Sequence, residues 1–169
     1  MKQTKRLGVP LLVALLVALP LSVGAGGAAA EEPRATTGSI MIAAAAFNPT
    51  TDDWDYNNNG IWLTSATGGT FIAALSFPVP VVSIRRITLY AYDNGADSVC
   101  VSLLRASPPI GSETLAVSMC SAESVTDPQV VSTTAINPKA INTAAQSPYL
   151  WLTLGGDVRV YGVKITYSY

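Results

Sequence analysis

The chain has 169 residues, ten Lys and Arg against eleven Asp and Glu, no histidine and two cysteines. Without histidine there is no Ser-His-Asp or Cys-His nucleophilic centre and almost no catalytic zinc arrangement. All eleven acidic residues and only seven basic ones follow position 30, a formal charge of −4, which argues against nucleic acid or an anionic membrane as partner because both need a basic patch.

The chain begins like an export address. Lys2, Lys5 and Arg6 precede an apolar run from Leu7 to Val23, and Ala28, Ala29 and Ala30 supply the small residues that a signal peptidase reads. Cleavage is expected after Ala30, leaving 31–169 as one domain, secreted or periplasmic, with no membrane attachment once the signal is gone. That length suffices to bury a core.

From 39 onward, alternation and turn residues replace helical periodicity. Strands are expected at 39–47, 61–65, 70–77, 83–92, 98–105, 114–121, 130–136, 149–154 and 158–167. Gly, Asn, Asp and Pro clusters separate them. Only 137–146, with "AINTAAQ", suits a short helical turn. Eight to nine short strands predict an all-β, two-sheet antiparallel β-sandwich with jelly-roll-like connections.

Between the first two strands lies "TDDWDYNNNG", residues 51–60. Asp53, Asp55, Asn57 and Asn59 alternate like the oxygen ligands of a calcium loop. However, Asn58 stands where an EF-hand needs glycine and Thr64 where it needs a bidentate glutamate. A looser calcium cage and a plain turn, with Asp and Asn bonding their own backbone, both fit the stretch; no other cofactor is implied.

The cysteines test the register of one hairpin. A turn at Ile110 pairs residues whose numbers sum to 220, which sets Cys100 opposite Cys120, Val101 opposite Met119 and Leu103 opposite Val117. The same register gathers Val99, Val101, Leu103, Leu115, Val117 and Met119 on one face. Directly opposed positions come within bridging distance, and an exported chain meets an oxidising compartment, so a Cys100–Cys120 disulfide is expected.

Segments "GGTFIAALSFP", "RITLYAYDNGADSVCVSLLRA" and "RVYGVKITYSY" resemble a loosely defined group of exported bacterial β-sandwich proteins, through Tyr90, Tyr92, Asp93, Asn94, Leu103, Leu104, Arg105, Tyr161, Gly162 and Val163. The resemblance implies the fold and carries no assigned activity.

Chemistry narrows by exclusion. No glycine-rich loop opens a helix to cradle phosphate, and two bridged cysteines leave no thiol. Paired carboxylates of the glycosidase kind remain, but the sequence alone does not place such a pair. The chain is therefore read as non-enzymatic. Inward Ile87, Leu89 and Ala91 turn Tyr90 and Tyr92 outward, and inward leucines turn Tyr149 and Trp151 outward. With Trp54 and Tyr56, these rings suit stacking on sugars, with Asn and Asp binding hydroxyls; rings paired across strands are the alternative.

If every strand crosses the sandwich, loops 48–60, 78–82, 106–113 and 137–148 share one end, while 66–69, 93–97, 122–129 and 155–157 share the other. That parity separates the acidic stretch from the other acidic loops. Two roles follow. One is an extracellular structural or interaction protein, with a protein partner or self-association through an open edge such as 158–167. The other is a carbohydrate-binding module, with or without a structural calcium.

Overall fold

A computed structural model describes residues 35–53, 55–108 and 111–169. The expected export segment, Trp54 and the expected turn at Ile110 lie outside the described residues. In chain order the strands are β1 (Thr37–Ala43), β2 (Asn48–Pro49), β3 (Tyr56–Asn58), β4 (Leu63–Ser65), β5 (Gly69–Ala74), β6 (Val81–Asp93), β7 (Cys100–Ser107), β8 (Ser112–Cys120), β9 (Val125–Thr133), β10 (Ala140–Asn142), β11 (Ser147–Leu154) and β12 (Arg159–Ser168). A 3₁₀ turn, Ala44–Ala46, follows β1. All nine expected strands are present.

Two sheets form, and every pairing is antiparallel. The smaller runs β2-β5-β11-β7-β8. In the larger, β6 lies beside β12 on one edge and beside both β9 and β10 on the other; β12 in turn carries β1 and β4, and β3 closes the row. From β4 to β7 each connection crosses between the sheets, as do β8 to β9, β10 to β11 and β11 to β12. This is the jelly-roll-like connectivity expected. The terminal strand is the exception to expectation: 158–167 is no open edge, because β12 is flanked along its length and its Val160, Val163 and Ile165 are fully buried.

Alternation explains the core. Val82, Ile84, Ile87 and Leu89 from β6 meet Phe71, Val101, Leu103, Leu150 and Leu152 from the smaller sheet in one apolar cluster. Each such side chain contributes about 1.5 to 3 kcal/mol by leaving water. At one rim Arg105 spans the two sheets, its Nη1 donating to the Ala140 carbonyl at 2.7 Å.

The hairpin register holds from Cys100↔Cys120 to Leu103↔Val117. Cys100 and Cys120 are bridged, with Cα atoms 4.0 Å apart. A bulge then intervenes, and Leu104 faces Leu115. Leu115 consequently points outward, 54% exposed, while Ala116 takes a buried place. The expectation of an inward Leu115 is corrected by that one extra residue, which reverses the side of everything beyond it.

Three short strands depart from the expected map. Residues 137–146 hold β10 and only a single turn closed by Gln146 N–H on Asn142 O. Burial of Ile141 and pairing with Val82 override the helical composition. β2 and β3 lie where a loop was expected, and they overturn the parity assignment. Thr50 N–H donates to Thr70 O at 3.0 Å, and Ser65 Oγ donates to Asp55 O and to Gly68 O. Both flanks of the acidic stretch therefore sit beside the 66–69 loop, at the end that also holds 93–97 and 155–157.

Candidate functional site

A single ladder row builds the site on the outer face of the larger sheet. Asn57 on β3 pairs with Thr64 on β4, Thr64 with Arg159 on β12, and Arg159 with Tyr92 on β6. Side chains directly opposite in antiparallel pairs share a face, so four strands present these residues side by side. Trp62 enters from just before β4, Asn94 and Gly95 from the loop after β6, and Asp157 from the loop before β12. Together they line a cleft of about 660 Å³.

Arg159 organises the cleft. Its guanidinium carbon lies 5.5 Å from the Trp62 ring centroid and 5.6 Å from that of Tyr92. Such contacts contribute about 0.5 to 1 kcal/mol at an exposed site; here they also fix the positions of both rings. The surrounding loops are pinned by their own polar groups. Asn59 Oδ1 accepts the N–H of Ile61 and of Trp62, each at 3.0 Å, which shapes the turn that delivers Trp62. Asn58 Nδ2 donates to Ala44 O at 3.0 Å and ties β3 to the turn after β1. Asp93, fully buried, accepts from the Ser121 hydroxyl and the Gly95 N–H, and so holds the 93–97 loop against the sheet.

This arrangement suits a hydroxyl-rich ligand. Two aromatic faces offer stacking, while two carboxamides, a hydroxyl, a carboxylate and a guanidinium offer donors and acceptors at the rim. Among the described residues that line the cleft, Asp157 alone is a carboxylate, whereas glycoside hydrolysis needs a facing pair.

No family model matches the chain, and no curated protein does. Among solved structures it is similar to the C-terminal family 6 carbohydrate-binding module of a marine laminarinase from Zobellia galactanivorans, at 14% identity over 76% of this chain and 99% of that one, with a TM-score of 0.49. It is also similar to a family 36 module of a multidomain xylanase from the hindgut metagenome of Trinervitermes trinervoides, at 12% identity over 76% and 96%, TM-score 0.46. A third is a family 36 module in complex with calcium and xylotriose, at 14% identity over 78% and 99%, TM-score 0.43.

The expected aromatics do not form one platform. Tyr90 and Tyr92 face outward from the larger sheet, half-buried; Tyr149 and Trp151 face outward from the smaller one, on the opposite side of the sandwich. Trp151, 37% exposed, stands beside Ser102, Leu104, Glu113 and Leu115 in a shallow hollow of about 280 Å³. The Tyr149 hydroxyl donates to Glu113 Oε1 at 2.6 Å. Burial first, and then the Glu113 carboxylate, push its pKa up to about 12. Tyr56 packs edge-on against Phe71, ring centroids 5.4 Å apart. Trp54 lies outside the described residues.

Of the proposed calcium ligands, Asn57 lies in the cleft and Asn59 spends its oxygen on two backbone donors. Asp53 and Asp55 are exposed. Among the described residues no three His, Cys, Asp or Glu side chains are grouped to hold a metal. Trp62, Asn94, Asp157 and Arg159 were not anticipated as site residues. A partial signal existed, since inward Leu63 and Val160 turn Trp62 and Arg159 outward. What was missing was that β4, β12 and β6 lie side by side.

Proposed function

We propose that the chain is an exported, non-catalytic glycan-binding β-sandwich module, its partner held in the cleft of Trp62, Tyr92 and Arg159. One observation carries the reading: two aromatic rings fixed about a guanidinium, within a concave outer sheet face whose remaining lining is Asn, Thr and Asp. Ligand sites pair apolar faces with a few placed polar groups in this manner. Export is supported by the apolar opening segment and by the Cys100–Cys120 bridge, since such bridges persist in oxidising compartments.

The test is a glycan array followed by titration calorimetry on the exported protein, with calcium and with chelator. Binding to at least one polysaccharide is expected. Trp62→Ala and Tyr92→Ala should each weaken it by about two- to twelvefold, as loss of about 0.5 to 1.5 kcal/mol of stacking implies, without altering the circular dichroism spectrum. A chelator-sensitive signal would show that calcium takes part in binding. Failure of every glycan to bind would remove the proposal.

A further inference from the structure

We infer that the glycan taken by this cleft is acidic, a carboxylated polysaccharide that runs from the cleft along β6 and β12; this rests on the glycan-binding reading above. The observation behind it is the segregation of charge. Alternation turns Tyr92, Tyr90, Thr88 and Arg86 of β6 outward, opposite Arg159, Gly162, Lys164 and Thr166 of β12. On β1 the outward positions are Thr37, Ser39, Met41 and Ala43, and on β9 Pro128, Val130 and Ser132 face the same way. None of these positions is Asp or Glu. Three exposed cations, Arg86, Arg159 and Lys164, thus stand at these positions, and a fourth, exposed Arg85, lies beside them with its Nε donating to Ser168 Oγ at 2.8 Å, in a chain whose acidic residues outnumber its basic ones.

The spacing of the cations favours a polymer. Lys164 faces Thr88, four residues along β6 from the Tyr92 row that holds Arg159, and Arg86 is two residues further. At the rise of an extended strand, the three cations fall along a line about 20 Å long, at intervals of about 13 and 7 Å. A small anion would engage one of them. A chain with a carboxylate on each sugar, or on alternate sugars, reaches all three while its ring faces meet Tyr92 and Tyr90. Duplex DNA, with one charge per about 1.7 Å, would leave most of its phosphates unmatched on so sparse a line. Within the cleft Asp157 serves as the acceptor for sugar hydroxyls and stands at the loop end, beyond the line of cations.

The experiment compares polygalacturonate and alginate with methyl-esterified polygalacturonate, which keeps the backbone and removes the charge, using the exported protein and calorimetric titration. Trp62→Ala serves as the cleft control, and Lys164→Gln and Arg86→Gln test the line beyond it. A polyuronate should bind more tightly than the ester. Each glutamine variant should weaken polyuronate binding by about fivefold, the upper range for one exposed ion pair, and leave the ester unaffected. The advantage of the acid form should fade between about 0.01 M and 1 M salt, as the screening length falls from about 30 to about 3 Å. Equal binding of acid and ester, or unchanged affinity in both glutamine variants, overturns the acidic ligand while the module reading survives. A neutral glycan that binds through Trp62 where no polyuronate binds does the same. If no polysaccharide binds at all, both readings fall. Displacement of bound polyuronate by a single-stranded oligonucleotide at lower concentration would reassign the face to nucleic acid and overturn the inference.

Discussion

Tyr149 shows how a single pair on the smaller sheet becomes a measurable titration. Its neutral hydroxyl donates to the Glu113 carboxylate, and ionisation would place two negative charges 2.6 Å apart on a half-buried ring. Burial is the larger cause of the rise to about 12, Glu113 the second. The sign follows from linkage. A phenol whose folded pKa exceeds the ordinary 10.0 adds stability that is whole below pH 10 and is lost as the pH rises through about 12. Glu113→Gln should therefore lower the Tyr149 midpoint only part of the way, leaving it above the ordinary value because burial remains. Tyrosinate absorbance during alkaline titration, taken as the difference between each protein and its Tyr149→Phe counterpart, reads this directly. An unchanged midpoint would show that the carboxylate contributes nothing.

The β7–β8 hairpin carries the corresponding argument for elements. Its bridge closes a loop over a sequence separation of 20, and in the chain-entropy model this is worth about 3 kcal/mol through the unfolded state. The double variant Cys100→Ser, Cys120→Ser should lose about that much in urea unfolding while keeping its native spectrum, because β11 still pairs the far edge of β7; a loss under about 1 kcal/mol would contradict the loop-entropy account. This hairpin also marks how far local pattern reaches. Cys100, Val101, Ser102 and Leu103 met their expected partners, since the alternation in both strands admits one register. The shift at Leu104 was not legible, because "TLAVSMC" alternates without interruption through the position where the bulge falls. What differs there is the rim, spanned by Arg105 reaching across to Ala140, a contact between sheets that no single strand reveals. Likewise β2, β3 and β10, two or three residues long, lie below the window in which a period of two can be recognised.

For the whole molecule, strand faces were legible and strand neighbours were not. Tyr92 was expected outward from its own strand, yet its place beside Arg159 depends on β12 lying next to β6, and Asn57 joins them only because β3 and β4 extend the same row. Net charge obscured the rest: a balance of −4 beyond position 30 says nothing of how Arg86, Arg159 and Lys164 come to share one sheet face. Because that row is assembled by the folded sheet, a ligand held there binds the native state and not the unfolded chain, so binding must raise stability by mass action. At a polyuronate concentration of about 100 Kd the gain is about 2.7 kcal/mol, which should raise the unfolding temperature by several degrees in scanning calorimetry. Tyr92→Ala at the same polysaccharide concentration should lose most of that rise. A full rise in that variant would move the binding site elsewhere, and the exposed Trp151 on the opposite sheet would then be the residue to substitute next, because it lines a hollow of its own with Leu104 and Leu115.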